Sequence, residues 1–257
     1  MNTPELTLIQ MRYVNKEFWR NPASAFFSFA FPLIFLVIFT ELLGHGTVLV
    51  GGTLIHESTY YVAAMAAFGV VTACFNNIAL SLTAQRDAGI LKRTNGTPLP
   101  ASAYMGARIL HATLVAVLLV AITVAFGRLC YGSDVPAGLT LARFAVTLAV
   151  GAASFCALGL AITAVVPNPD AAPAIVNVAV LPLMFLSGIF IPIGDNSPAW
   201  IVWIARIFPI RHFAEAMQAG FVGTAFDWVD IVIVAAWGLA GLLAAIRYFR
   251  WEPRLGS

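Results

Sequence analysis

The residue types that perform catalysis are sparse in this chain and do not stand at the spacing that a catalytic motif requires. Only two lysines occur, Lys16 and Lys92, and neither follows a glycine-rich turn. A nucleotide-binding P-loop requires Gly-x-x-x-x-Gly-Lys followed by Ser or Thr, because its lysine must reach the phosphates from that turn. No Gly-x-Ser-x-Gly or His-Glu-x-x-His motif occurs either. We therefore expect that this chain is not an enzyme and binds no cofactor.

The three cysteines, Cys74, Cys130 and Cys156, lie far apart, within or at the ends of apolar runs. Their spacing fits neither a metal site nor a disulfide framework, so we interpret them as small packing residues. No constellation of His, Asp and Glu recurs at helical spacing within the segments predicted below to span the membrane, which argues against an intramembrane enzyme. We therefore expect no metal site.

Charged residues concentrate in the segment 85–104, which reads QRDAGILKRTNGTPLPASAY. Its first half predicts a short charged helix at about 85–96, suited to docking a soluble partner; an ordinary solvated loop explains the same charges equally well. We expect Asn95-Gly96 to stop this helix in a left-handed turn, and Pro100 to begin the next one. The charged side chains are Arg86, Asp87, Lys92 and Arg93.

The elements that position these residues belong to a strongly apolar chain. Of its 257 residues, 60% are hydrophobic and only 10% are charged, and the mean hydropathy is +0.88. Soluble domains are about 45–50% apolar and about 25% charged, so the excess apolar surface must face lipid. We predict an all-α membrane protein that forms one domain (1–257) with six transmembrane helices. The predicted spans are about 23–43, 59–84, 102–130, 139–166, 172–191 and 228–249.

An amphipathic helix that lies in the membrane interface is predicted at 4–21. Its apolar residues fall on one side of a helical wheel, and Tyr13 and Trp19 are suited to the headgroup region. Charged residues precede the first apolar run, so this N-terminus does not resemble a secretory signal.

The distribution of Lys and Arg predicts the orientation of the spans. The loop between the first and second spans has neither residue, whereas both termini and the segment 85–108 are basic. The positive-inside rule therefore places both termini and that segment in the cytoplasm. The basic residues concerned are Arg12, Lys16, Arg20, Arg86, Lys92, Arg93, Arg108, Arg247, Arg250 and Arg254.

The segment 187–227 is predicted to form a re-entrant hairpin of short helices ahead of the sixth span. Residues 199–222 are apolar enough to form a seventh span, which is the alternative interpretation, but they include two arginines and a glutamate. Charges at the bilayer centre cost about 2.5–3.5 kcal/mol each on the insertion scale. A seventh crossing would also place the basic C-terminus outside.

Few polar residues occupy the interiors of the predicted spans. Asn76, Asn77 and Asn177 are suited to hydrogen bonds between helices, and the alternative is that they line a translocation path. An ion-coupled carrier or channel would keep ionisable residues at mid-membrane. Their scarcity makes that class the less favoured alternative.

Two stretches resemble the membrane subunit (permease) of the type-2 ABC transporter family, which exports drugs, lipids and polysaccharides. The first is RDAGILKRTNGTPLP at 86–100, which is similar to the coupling-helix segment of that family. The second comprises LPLMFLSGIFIP at 181–192 and AWIVWIARIFPIRHF at 199–213, and it is similar to the late-span signature and the extracellular re-entrant helices. The order of elements matches over nearly the whole chain.

The resemblance implies a half-transporter. Two permease chains, identical or paired with a sister chain, would enclose a translocation path and dock two ATPase subunits, which would bind ATP and magnesium. The short charged helix, assisted by the N-terminal helix, would contact the ATPase. The contact residues implied in this way are Arg86, Asp87, Gly89, Lys92, Arg93, Arg12, Lys16 and Glu17.

The resemblance also implies a path and a gate. Spans one, two and five would line the path, and the hairpin would gate its outer end. The implied path residues are Phe26, Phe29, Phe35, Asn76, Asn77 and Asn177. The implied gate residues are Gly188, Pro192, Arg206, Arg211 and Glu215.

The phenylalanine-rich first span suggests a hydrophobic or amphipathic cargo, either a drug, whose efflux would confer antibiotic resistance, or a lipid. Because these phenylalanines occur on every side of the helix, the alternative is that most of them face lipid. A polysaccharide cargo stays open. The expected location is the bacterial inner membrane, in contact with lipids and without a nucleic-acid partner.

Overall fold

The computed structural model shows a bundle made almost entirely of helices. It describes residues 2–44, 46–50, 52–192, 198–224, 226–249 and 251–252, without the side chain of Ser24. Residues 193–197 of the predicted hairpin, and Arg250 and Arg254 of the basic set, lie outside the described residues. The described helices and strands are α1 (Thr3–Trp19), α2 (Pro22–Leu43), β1 (Thr47–Val50), β2 (Thr53–His56), α3 (Glu57–Val71), a π-helical turn (Thr72–Asn76), α4 (Asn77–Asp87), α5 (Ile90–Asn95), α6 (Ala101–Tyr131), α7 (Leu139–Ile162), α8 (Ala172–Phe185), α9 (Ala199–Ile207), α10 (Pro209–Val222) and α11 (Trp228–Tyr248).

Within the described residues, five helical segments are long and apolar enough to cross a membrane. They coincide with five of the six predicted spans, and they are Ala25–Leu43, Glu57–Asp87, Ala101–Tyr131, Leu139–Ile162 and Trp228–Tyr248. The remaining predicted span, at 172–191, contains α8, which has only 14 residues. At 1.5 Å per residue α8 is about 21 Å long, shorter than the roughly 30 Å of hydrocarbon in a bilayer.

The segment predicted as a hairpin contains two short helices rather than one long one. α9 has 9 residues and α10 has 14. Phe208 separates them in an extended conformation, with φ −98° and ψ 150°, and Pro209 begins α10 without a backbone N–H to donate. Neither helix is long enough to cross a bilayer alone, so the structure contains no continuous helix over 199–222.

The segment Glu57–Asp87 lies at the centre of the bundle. In its most apolar window 83% of the residues are buried inside the protein, against 17% for α2, and residues 62–67 are entirely inaccessible. A π-helical turn at Thr72–Asn76 interrupts it. Gly159 of α7 packs against this turn so closely that a Cβ there would lie 2.7 Å from the Phe75 carbonyl oxygen.

One described element was not predicted. β1 and β2 form a two-stranded antiparallel hairpin in which Val48 pairs with Ile55 and Leu49 with Leu54. The sequence Gly51-Gly52 between two apolar, β-branched runs is a hairpin signal that could have identified it.

Glycines on α11 allow that helix to pack tightly against α7. A Cβ at Gly238 would lie 2.7 Å from the Cα of Ser154, and one at Gly241 would lie 3.0 Å from the nitrogen of Leu158. Because lipid is as apolar as the side chains, close packing through small residues is a main source of helix association in membranes.

We expect Gly238→Ala to destabilise the protein, because its new methyl group meets backbone atoms that cannot move aside. Overpacking of this kind costs about 1–3 kcal/mol, which corresponds to a fall of about 3–10 °C in the unfolding temperature, measured by thermal unfolding in detergent. Gly106→Ala is the matched control, because its Cβ would make ordinary contacts with the Thr7 side chain, at 3.4 Å from the methyl and 3.8 Å from the hydroxyl oxygen. Equal unfolding temperatures for the two variants would contradict this account of the interface.

Candidate functional site

The two ends of the bundle carry different polar groups, and the 31-residue segment Glu57–Asp87 connects them. At 1.5 Å per residue this segment is about 46 Å long. The end that holds the C-terminus of α4, with α5, is termed the α5 end. The end that holds the start of α3, with α9 and α10, is termed the hairpin end.

Arg86, one of the implied ATPase contacts, lies inside the protein at the α5 end. It is 3% exposed. Its Nη1 donates to the carbonyl oxygen of Thr163 at 2.8 Å, and its Nη2 donates to the carbonyl oxygens of Val166 at 2.6 Å and Pro167 at 3.4 Å. These carbonyls belong to Thr163, at the C-terminal end of α7, and to the turn that follows it. Arg86 therefore fixes α4 to the end of α7, and its guanidinium is not on the surface.

The other charged residues of the segment lie on the surface of α5 or beside it. Asp87, Lys92 and Arg93 are exposed, whereas Leu91 is completely buried and holds α5 against the bundle. Gly89 precedes α5 with φ +68°, a left-handed conformation that only glycine adopts readily.

The helix stop expected at Asn95-Gly96 is wrong in its geometry. Gly96 has φ −82° and ψ 0°, and its N–H donates to the carbonyl oxygens of Lys92 and Arg93 in an ordinary right-handed turn. The left-handed glycine stands at the other end of α5, at Gly89, because the chain turns sharply between α4 and α5.

A hydrogen-bond network joins α1, α4 and α6 at the α5 end. Glu17 accepts from Arg108 Nη2 and from Gln85 Nε2, each at 3.1 Å. The Tyr104 hydroxyl donates to Gln85 Oε1, and the Arg108 guanidinium lies 5.5 Å from the centre of the Tyr104 ring. The Glu17 carboxylate is thus turned towards α4 and α6. On the same helix the implied contact residues Arg12 and Lys16 are exposed.

The implied path residues occupy different surroundings. Asn77 lines a cavity of about 180 Å³ between α1, α4 and α6, with Arg108 and His111, whereas Phe26 and Asn177 are exposed. Phe29 stacks on Trp19 at 6.0 Å between ring centroids. Asn76 is half-buried in the π-helical turn.

Phe35 belongs to an aromatic cluster between α2, α3 and the segment that follows α8. Its ring centroid lies 5.8 Å from those of Phe68 and Phe190, and Phe190 also lies 4.8 Å from Phe185. The cluster holds the chain after α8 against the centre of the bundle.

At the hairpin end the structure brings all five implied gate residues around one cavity. The cavity measures about 630 Å³, and its walls include Gly188, Pro192, Arg206, Arg211 and Glu215. Arg211 Nε donates to Glu215 Oε1 at 2.7 Å, as expected for residues one helical turn apart.

Tyr60 connects this cavity to the centre of the bundle. It is 4% exposed, and its hydroxyl donates to the carbonyl oxygen of Gly188, where φ is +81°. The first turn of α3 is thereby tied to the chain between α8 and α9.

Residues 5–222 match the ABC-2 type transporter family. The chain belongs to this family. The resemblance to type-2 ABC permeases is thus confirmed, and the family is one of membrane transport components rather than of ATPases.

Two relatives extend the comparison. The probable multidrug ABC transporter permease YbhR of Escherichia coli (strain K12) is 28% identical over 165 residues, which are 64% of this chain and 44% of YbhR. The putative transport permease ycf38 of Porphyra purpurea is 24% identical over 226 residues, which are 86% of this chain and 76% of ycf38. In the first match the chain spans less than half of the relative's length.

Several polar residues of this ABC-2 chain were not singled out from the sequence as site residues. They lie at the ends of apolar runs, and the sequence spacing does not show which residues they meet in the fold. They are Tyr60, Gln85, Tyr104, Arg108, His212, Gln218 and Asp230.

We expect Arg86→Gln to lower the unfolding temperature of the ABC-2 chain by about 5–10 °C, because hydrogen bonds to a charged group are worth about 1.5–3 kcal/mol. Arg93→Gln is the matched control. Arg93 is exposed and donates only one weak bond among the described contacts, at 3.4 Å to the Ala88 carbonyl oxygen, so its unfolding temperature should stay within about 2 °C of the parent. A larger shift for Arg93→Gln than for Arg86→Gln would contradict the assigned roles.

Proposed function

We propose that this chain is the membrane subunit of an ATP-driven exporter and that a separate ATPase subunit docks on α5. The observation that carries the proposal is the way α5 is held. Its inward residue Leu91 is completely buried, the preceding Arg86 is fixed to the end of α7, and Asp87, Lys92 and Arg93 face outwards. A charged surface on a rigidly held helix is suited to transmit force.

The implied contact residues divide into two groups. Asp87, Lys92 and Arg93 on α5 would touch the ATPase, and Arg12 and Lys16 on the exposed side of α1 would extend that surface. Arg86, Gly89 and Glu17 would act by positioning those two helices, because Arg86 and Glu17 contact other parts of this chain and Gly89 makes the turn before α5.

Movement of α5 would be transmitted along the segment Glu57–Asp87. α5 follows α4 after a sharp turn, and α4 is joined to α3 through the π-helical turn. Tyr60, in the first turn of α3, donates its hydroxyl to the Gly188 carbonyl at the hairpin end. A displacement produced by ATP binding on one side would in this way reach the 630 Å³ cavity on the other. ATP and magnesium would be bound by the partner.

The complex we propose contains two permease chains, identical or sister chains, and two ATPase subunits in a bacterial inner membrane. α2 and α8 expose many large apolar side chains, among them Phe26, Phe27, Phe31, Val178 and Phe185. Lipid, the second chain and a hydrophobic or amphipathic cargo would share these faces. A drug or lipid is the proposed cargo, and the similarity to YbhR, a probable multidrug ABC transporter permease, supports this choice.

The proposed orientation places the α5 end in the cytoplasm, and selective cysteine labelling tests it. In a Cys130→Ser background, which removes the exposed cysteine and leaves two buried ones, we expect Asn95→Cys to react with a membrane-impermeant maleimide only from the cytoplasmic side. Asp134→Cys, in the loop after α6, should react only from the outside, because its backbone contacts Thr59 at the start of α3. The reverse labelling pattern would overturn the orientation.

Docking on α5 is tested by co-purification with a soluble ATPase encoded beside this gene. We expect Asp87→Lys, and separately Lys92→Glu with Arg93→Glu, to reduce co-purification and substrate-stimulated ATP hydrolysis by about tenfold or more, equal to about 1.4 kcal/mol of association free energy. Asp134→Lys is the matched control, because it makes the same charge reversal at the opposite end on an exposed residue. Undiminished co-purification and hydrolysis in both α5 variants would sink the docking proposal.

A further inference from the structure

A second group of ionisable side chains stands at the hairpin end, and docking of an ATPase does not involve it. His212 and Glu215 lie three residues apart on α10, and Asp230 lies in the first turn of α11. One potential ligand atom from each of the three residues falls within 4.8 Å of the others. The three residues line the 630 Å³ cavity.

The hydrogen bonds of His212 fix which ring nitrogen carries a proton. Its Nε2 lies 2.9 Å from the Arg206 carbonyl oxygen, and because a carbonyl oxygen can only accept, Nε2 must carry a hydrogen. In the neutral imidazole the lone pair is then on Nδ1, which lies 2.7 Å from Asp230 Oδ1. Two acceptors at this distance repel each other, so a proton lies between them in this arrangement. A metal ion bound to both atoms at about 2.0–2.2 Å would replace that proton and move the two atoms apart.

The surroundings also fit a metal ion. A histidine ligand in a metal site almost always donates its other N–H to a carbonyl or carboxylate, as His212 does towards Arg206. Glu215 supplies a third ligand on the cavity side. Its Oε1 is held by Arg211 Nε at 2.7 Å, which orients the carboxylate and leaves Oε2 for the ion.

We propose that His212, Glu215 and Asp230 form a zinc site at the hairpin end. One imidazole and two carboxylates are ligands that zinc accepts, at about 2.0–2.2 Å, and three protein ligands leave a fourth position open. Because the three residues line the cavity, water or a polar group of a cargo could occupy that position.

The proposed ion would connect three elements. His212 and Glu215 belong to α10, Asp230 begins α11, and the Arg206 carbonyl belongs to the last turn of α9. Zinc would therefore fix the two short helices to the start of the last span and stabilise one arrangement of the cavity wall.

The site is tested on the purified full-length chain in detergent, with any affinity tag removed and bound metals stripped by a chelator. Elemental analysis after desalting, and competition with a chromophoric zinc indicator, should show one zinc ion per chain. Asp230→Asn and His212→Gln should each weaken zinc binding by at least about 100-fold, because losses of outer-shell groups alone cost 10–100-fold. Zinc, but not magnesium, should raise the unfolding temperature of the parent and not that of Asp230→Asn.

Two further variants keep the result interpretable. Glu215→Gln leaves the contact between His212 and Asp230 in place, so it should fold normally and still bind zinc more weakly. His56→Gln is the matched control, because His56 is an exposed histidine at the same end, immediately before α3, and its zinc affinity should equal that of the parent.

Absence of stoichiometric zinc in the parent would overturn the proposal and leave a proton between His212 and Asp230. Zinc binding that is unchanged in Asp230→Asn, His212→Gln and Glu215→Gln would also overturn it, because the ion would then bind elsewhere. Neither result depends on the ATPase, so the outcome is separate from that of the docking experiments.

Discussion

The guanidinium of Arg86 is bound to the end of α7, and the geometry of the α5 end depends on that contact. A charge that is 3% exposed is costly inside a protein unless its donors are satisfied. Here the acceptors are carbonyl oxygens of Thr163, at the C-terminal end of α7, and of Val166, in the turn that follows. The guanidinium donors and the carbonyl acceptors satisfy each other's hydrogen bonds, so the C-terminus of α4 has one position relative to α7. α5 begins three residues after Asp87, beyond the turn at Gly89, and takes its position from this contact.

Polar residues at both ends of the bundle follow the same physical rule. In a membrane a polar side chain is stable where a backbone carbonyl or an opposite charge meets it, and the ends of helices offer such partners. The network of Glu17, Gln85 and Arg108 at one end and the contacts of Tyr60 and His212 at the other are both of this kind. Between them the helices pack through small residues.

The amino-acid sequence predicts the helices well and the polar contacts poorly, for physical reasons. Long apolar runs must be helical in lipid, so five spans follow from hydropathy alone. α8 is shorter than expected because the chain turns at Gly188, where the Tyr60 hydroxyl satisfies the carbonyl. The inward position of Arg86 and the pairing of His212 with Asp230 join residues that are far apart in sequence. A pattern of local spacing cannot contain that information, whereas the exposure of Lys92 and Arg93 follows from their charge.

The π-helical turn at Thr72–Asn76 amounts to one residue more than the α-helical repeat accommodates. At 3.6 residues per turn, one residue corresponds to a rotation of about 100°. The side-chain faces of α4 are therefore out of phase with those of α3 by about that angle. If one residue were deleted here, the contacts of α3 could be kept only if the side chains of α4 rotated away from theirs. The number of residues between Tyr60 and Gln85 is thus constrained as well as their identities, and an alignment of relatives should show no gaps in this interval.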